Sequence, residues 1–150
     1  MSIEDAIQQR EFHSEHHKAL LNIMFTHNHL IGKINELLKG FDVTRQQFNV
    51  LRIIRGQQPD AAGINLIKER MIDKMSDASR IVERLRLKDL VSRTASQTDK
   101  RAAQIRLTAK GEELLREMDS PITDFGNKLL ALTEAEAKTL NSILDKIHSI

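Results

Sequence analysis

The sequence predicts a mainly helical protein with one small β-hairpin, and three observations carry that expectation. Apolar residues recur at spacings of three and four along residues 20–38 and again along residues 137–147. Thr44 with Gln47, and Thr133 with Glu136, have the capping-box pattern in which a hydroxyl and a side-chain carbonyl or carboxylate satisfy free N–H groups of a helix's first turn. The run Gln104-Ile105-Arg106-Leu107 instead alternates polar and apolar, as a half-exposed strand does.

In chain order, residues 6–39 read as one long helix, with Leu20, Ile23, Met24, His27, Leu30, Ile31, Ile34, Leu37 and Leu38 on its stripe. That stripe is wider than a small domain covers, so part of it is expected to pack on another chain; lying on its own core is the alternative. Gly40 is placed to close this helix in the left-handed conformation. A second helix opens at Thr44, buries Phe48, Val50, Leu51, Ile53 and Ile54, and ends at Gly56. Residues 66–72 form a third helix, 73–75 a tight connection and 76–88 a fourth, with Ile81, Val82, Leu85 and Leu87 facing inward. Residues 90–95 and 104–108 make the hairpin. A fifth helix starts at the Thr108 cap, and Pro121 interrupts or kinks it, or caps and restarts it together with Ser120. The last helix, opened by Thr133, carries Ala137, Leu140, Ile143, Leu144 and Ile147 as one stripe, exposed unless a partner covers it.

Charge is distributed unevenly. Residues 65–110 hold 12 Lys/Arg against 6 Asp/Glu, whereas the whole chain of 150 residues is only +2, so the remainder is net acidic. A localised basic surface is what a polyanion requires, and double-stranded DNA is the expected partner. The absence of cysteine excludes disulfides, thiolate zinc sites and thiol catalysis or sensing. There is no glycine-rich phosphate loop, no His-Glu-x-x-His and no nucleophile with an ordered base, so an enzyme is rejected and no cofactor is expected. The first residues are too polar for a secretion signal and no apolar run spans a bilayer, which points to a cytoplasmic location away from membranes.

The third and fourth helices form a helix-turn-helix whose second helix enters a major groove. Ser76, Asp77, Ser79, Arg80 and Arg84 face outward on it: the small residues allow close approach, and the two arginines, one turn apart, reach a guanine edge and a phosphate. A solvated face stitched by Glu83 and its basic neighbours is the alternative. The hairpin beyond is then a wing with Asp99, Lys100 and Arg101 at its tip. Arg101 is the candidate for minor-groove insertion, and Asp99 orients either it or Arg93, which supports the wing.

Taken in order, VTRQQFNVL, SDASRIVERLRLKDLVSR, TDKRAAQIRLTAKG and LTEAEAKTLNSIL resemble the MarR family of bacterial transcriptional regulators over nearly the whole chain. The resemblance implies a winged helix-turn-helix over residues 41–110 and a helical dimerisation domain from residues 1–40 and 111–150. It further implies a homodimer on a pseudo-palindromic operator, often a repressor, often released by a small aromatic or phenolic effector. Recognition-helix and wing positions coincide with the residues above; one departure is Asp89 where the family usually has glycine. Leu140, Ile143, Leu144 and Ile147 are assigned to dimerisation, and His27, Ile31, Phe48 and Arg52 to an effector pocket by position. His13, His16 and His17, with Glu11 and Glu15 nearby, leave a zinc-responsive regulator as one alternative, although no complete ligand set is evident and no metal is assigned. A winged helix that contacts protein is the other.

Overall fold

Two serines decide where the N-terminal helices begin. In the computed structural model, which describes residues 1–99 and 102–149, Ser2 and Ser14 hold extended backbones and accept hydrogen bonds from the N–H groups of Asp5 and His17. Helix α1 (Ile3–Ile7) therefore ends early, with Gln8 left-handed, and α2 (Glu15–Lys39) restarts only after the second cap. This corrects the expectation of one helix over residues 6–39. A Lys18–Glu4 ion pair ties α2 back to α1.

The turn after α2 is also built differently from the sequence reading. Gly40 is right-handed, its N–H donating to Leu37 and Leu38, and the left-handed residue is Asp42 at φ 54°. Bonding back three residues tightens the last turn, so the reversal falls two residues later. Lys88 Nζ donates to the Asp42 carbonyl and lies 3.4 Å from Gln47 Oε1, so this lysine secures the turn.

Helix α3 (Arg45–Gln57) starts at the Thr44 capping box, both of whose bonds measure 3.1 Å. Gln47 is buried because its amide oxygen is occupied there. Val50, Leu51 and Ile54 form the buried face, with Phe48 and Ile53 half-buried. Helix α4 (Ile64–Arg70) begins two residues earlier than the sequence suggests, after Gly63, and gives way at an extended Met71. Helix α5 (Ala78–Leu87) buries Ala78, Val82 and Leu85. Leu87 is 71% exposed, against the expectation that it faces inward; two residues beyond Leu85 it lies roughly 200° around the helix.

After α5 the chain reverses at Asp89, φ 59°, with Leu90 N–H returning to the Leu85 carbonyl at 3.0 Å. Strands β1 (Val91–Ala95) and β2 (Ala103–Leu107) pair antiparallel, Arg93 opposite Ile105. Ala62 adds a bridge to Ile105 through bonds of 2.9 and 2.8 Å, a one-residue strand with no alternation to announce it. Val50, Leu51, Ile54, Ile67, Val82, Leu85 and Ile105 are fully buried, and each such side chain contributes about 1.5–3 kcal/mol of apolar burial.

Helix α6 (Ala109–Leu130) opens with Gly111 N–H donating to the Thr108 hydroxyl at 3.0 Å. The chain divides into two compact units, Met1–Glu112 and Glu113–Ile150. In the second, α6 continues through Pro121, so the expected interruption does not occur. Proline removes a single N–H donor, and nearby the Thr123 hydroxyl adds a bond to the Asp119 carbonyl at 2.9 Å. Helix α7 (Glu134–His148) starts at the Thr133–Glu136 capping box and buries none of its residues. Leu140, Ile143 and Ile147 are exposed, and Leu144 is half-buried.

Candidate nucleic-acid interface

The connection between α4 and α5 is held by its own polar groups. Asn49 Oδ1 accepts from Ile72 N–H at 2.9 Å, Asp73 Oδ1 accepts from Met75 N–H at 3.0 Å, and the Asp73 carbonyl accepts from Ser76 N–H at 3.2 Å. Asp77 then caps α5, its carboxylate accepting from Arg80 N–H at 3.1 Å. The helix thus begins at Ala78 rather than at Ser76, and Ser76 and Asp77 belong to its cap region. An extended backbone with a short acceptor side chain suits Asp77 to this role better than a place inside the helix.

Ser76, Asp77, Arg80 and Arg84 border one open groove of about 400 Å³, closed on its other side by Thr44, Gln46 and Gln47. The start of α3 lines up with the recognition face in this way, which sequence spacing did not reveal. Ser79 is exposed beside them, and the Ser76 hydroxyl is buried without a hydrogen-bond partner among the described residues. Arg80 Nε lies 3.9 Å from Asp77 Oδ2 with its side chain 73% exposed, a loose pair that leaves the guanidinium free to engage a further anion.

Glu83 is stitched to a basic neighbour on its own helix, as the solvated-face alternative expects. Its carboxylate accepts two bonds from Arg86, at 2.8 and 2.9 Å. The Arg86 guanidinium holds the Glu83 carboxyl below the usual carboxylate range, with Arg93 adding a weaker pull in the same direction. The acid on α5 is therefore engaged away from the groove, and Arg84 stands exposed in it.

In the hairpin, Ser96 accepts from the N–H groups of Thr98 and Asp99 at 3.3 and 3.4 Å, and its own N–H donates to the Ala102 carbonyl at 2.8 Å. Asp99 and Arg93 are exposed. Lys100 and Arg101 lie outside the described residues, and with them the expected pairing of Asp99 with Arg101.

Of the four residues assigned to an effector pocket, Phe48 and Arg52 meet, the guanidinium 5.8 Å from the ring centroid. Ile31 is half-buried. His27 is exposed, and α2 leaves much of its apolar stripe, including Leu20, Ile23 and Met24, in solvent. The His13 and His17 rings lie 5.3 Å apart, but among the described residues no group of three or more His, Asp or Glu could hold a metal ion. Among those residues, too, no helix is long and apolar enough to cross a membrane.

Residues 43–111 match the winged helix DNA-binding domain family. The chain resembles S. aureus MepR solved as a DNA complex, at 26% identity and a TM-score of 0.74 over 93% of this chain and 98% of that one. It also resembles wild-type MarR in its apo form from E. coli, at 26% identity and a TM-score of 0.65 over 84% and 94%. Bordetella bronchiseptica BpsR, whose DNA binding is regulated by 6-hydroxynicotinic acid, shares the fold at 19% identity and a TM-score of 0.74 over 87% and 98%. Helix-turn-helix, hairpin and matched domain define a winged-helix fold over residues 43–111. Within that fold the chain is similar to MepR and MarR.

Proposed function

We propose that two copies of this chain bind a pseudo-palindromic operator as a repressor, and that a small aromatic or phenolic molecule releases them. In this reading each α5 lies in a major groove, with Ser79, Arg80 and Arg84 against bases and phosphates, Ser76 in the turn before the helix and Asp77 capping it. Arg101, at a wing tip shared with Lys100, reaches the adjacent minor groove, and Asp99 orients either it or Arg93, which supports the wing. The observation that carries the proposal is the pair of exposed arginines in one groove while the neighbouring acid, Glu83, is occupied by Arg86. The DNA complex of MepR supports the same partner for a chain of this fold. Dimerisation is supported by the apolar residues Leu140, Ile143 and Ile147 that α7 leaves in solvent. BpsR supports a small-molecule signal, for which His27, Ile31, Phe48 and Arg52 remain the candidate contacts.

Selection of bound duplexes from a random-sequence pool tests the reading. An inverted repeat with half-sites about one helical turn apart is expected, because a two-fold dimer presents its recognition helices at that spacing. Recovery of no preferred sequence, or of a lone half-site, contradicts it. A phenolic compound that both raises the melting temperature and dissociates the selected duplex identifies the class of signal.

A further inference from the structure

Met75 is 93% exposed, and it borders the same groove as Arg80 and Arg84. A large apolar side chain left almost wholly in water adds nothing to the fold, and this one is not displayed by a loose loop. Its N–H is bonded to Asp73 Oδ1, the next residue's N–H is bonded to the Asp73 carbonyl, and the Asp77 cap follows at once. The backbone is therefore set before any ligand arrives, and only the side chain's own rotamers need ordering on contact.

We propose that Met75 reads sequence, packing its thioether side chain against the 5-methyl group of a thymine in the major groove entered by α5; this rests on the DNA-binding reading above. Continuity with the two arginines selects the occupant. A duplex whose phosphates and guanine edges satisfy Arg80 and Arg84 brings the floor of its major groove alongside the same surface, and thymine's methyl is the apolar group presented there. An unbranched thioether adapts its shape to such a target. The connection's other exposed apolar residue, Ile72, is 82% exposed but is not among the residues bordering the groove, so it serves as the control.

The experiment uses the full chain and the selected duplex, with each thymine replaced singly by deoxyuridine. That exchange deletes one methyl and leaves every hydrogen-bonding group in place. One thymine in each half-site is expected to lose about fourfold in affinity on replacement, the effect of one buried methyl-sized group. Met75→Ala should bind the thymine duplex more weakly by a similar factor and show no further loss with uracil, whereas Ile72→Ala should keep the full dependence. If no position is sensitive to uracil, or if Met75→Ala retains the sensitivity, the methyl contact is wrong. If no duplex is selected at all, the DNA-binding reading fails first, and the two failures are distinct.

Discussion

Arg80 and Arg84 differ in what holds them, and that difference sets what their removal does. Arg80 has a loose partner in Asp77, and Arg84 stands exposed in the groove. Arg80→Ala and Arg84→Ala are each expected to cost about 1–3 kcal/mol of operator binding without lowering folding stability. Titrations against a panel of altered operators check this: the variant that changes sequence preference marks the base-reading arginine, and the one that weakens all duplexes evenly marks a phosphate contact. Gly111 is the opposite case, a residue fixed by packing. A Cβ there would lie 2.1 Å from the Leu90 carbonyl oxygen, which is backbone and cannot swing away. Gly111→Ala is expected to destabilise the fold by about 1–3 kcal/mol in urea unfolding; an unchanged midpoint would contradict the close approach of α6 to the start of β1.

At the scale of elements, α1 is held by the Lys18–Glu4 pair, and the pH response follows from it. The Lys18 ammonium hydrogen-bonded to Glu4 lowers the Glu4 carboxyl from 4.5 to about 2. A depressed folded-state pKa contributes stability that is present above the unfolded value and is lost as pH falls from about 4.5 toward about 2. Hydrogen exchange in α1 should therefore accelerate through that window, and Lys18→Met should remove the response; an identical profile in the variant would show that the pair does not hold α1. The αL turn after α5 offers a second test. Asp89 at φ 59° occupies a position glycine tolerates better, and only its backbone carbonyl accepts the Thr108 hydroxyl. Asp89→Gly should raise stability by about 0.5–1 kcal/mol in urea unfolding, and a loss would mean the Asp89 side chain stabilises the turn.

Elements whose ends are written in side chains were legible in the sequence. Both capping boxes start helices α3 and α7 where Thr44 and Thr133 stand, and the alternation around Ile105 marks β2. Features set by contacts between distant residues were not. The apolar stripe starts only at Leu20, so periodicity carried no signal for the gap between α1 and α2 that the serine caps at 2 and 14 set. Lys88 reads as a surface charge until Asp42 and Gln47 are seen beside it. At the interface, residue types and spacing indicated Arg80 and Arg84. They did not indicate that Asp77 is the cap, that the start of α3 closes the groove, or that Met75 borders it.

For the whole molecule, the apolar side chains left in solvent are the feature most in need of a partner. Leu20, Ile23 and Met24 on α2, and Leu140, Ile143 and Ile147 on α7, are each exposed large hydrophobic residues. Covering them with a second copy would link two recognition helices and make operator affinity depend on both half-sites. Ile143→Glu is therefore expected to sediment as a folded monomer and to lose tight operator binding, while far-ultraviolet dichroism stays native. A variant that stays dimeric would remove α7 from the interface.

In the proposed complex the basic face of α5 and the hairpin tip meet the phosphates of a duplex. Affinity for the selected duplex, measured by fluorescence anisotropy across a salt series, tests that contact most directly. Binding should weaken by about 10³-fold or more between roughly 50 and 200 mM salt as phosphate counterions are released. An affinity indifferent to salt, or no duplex binding at the lowest salt, would contradict it.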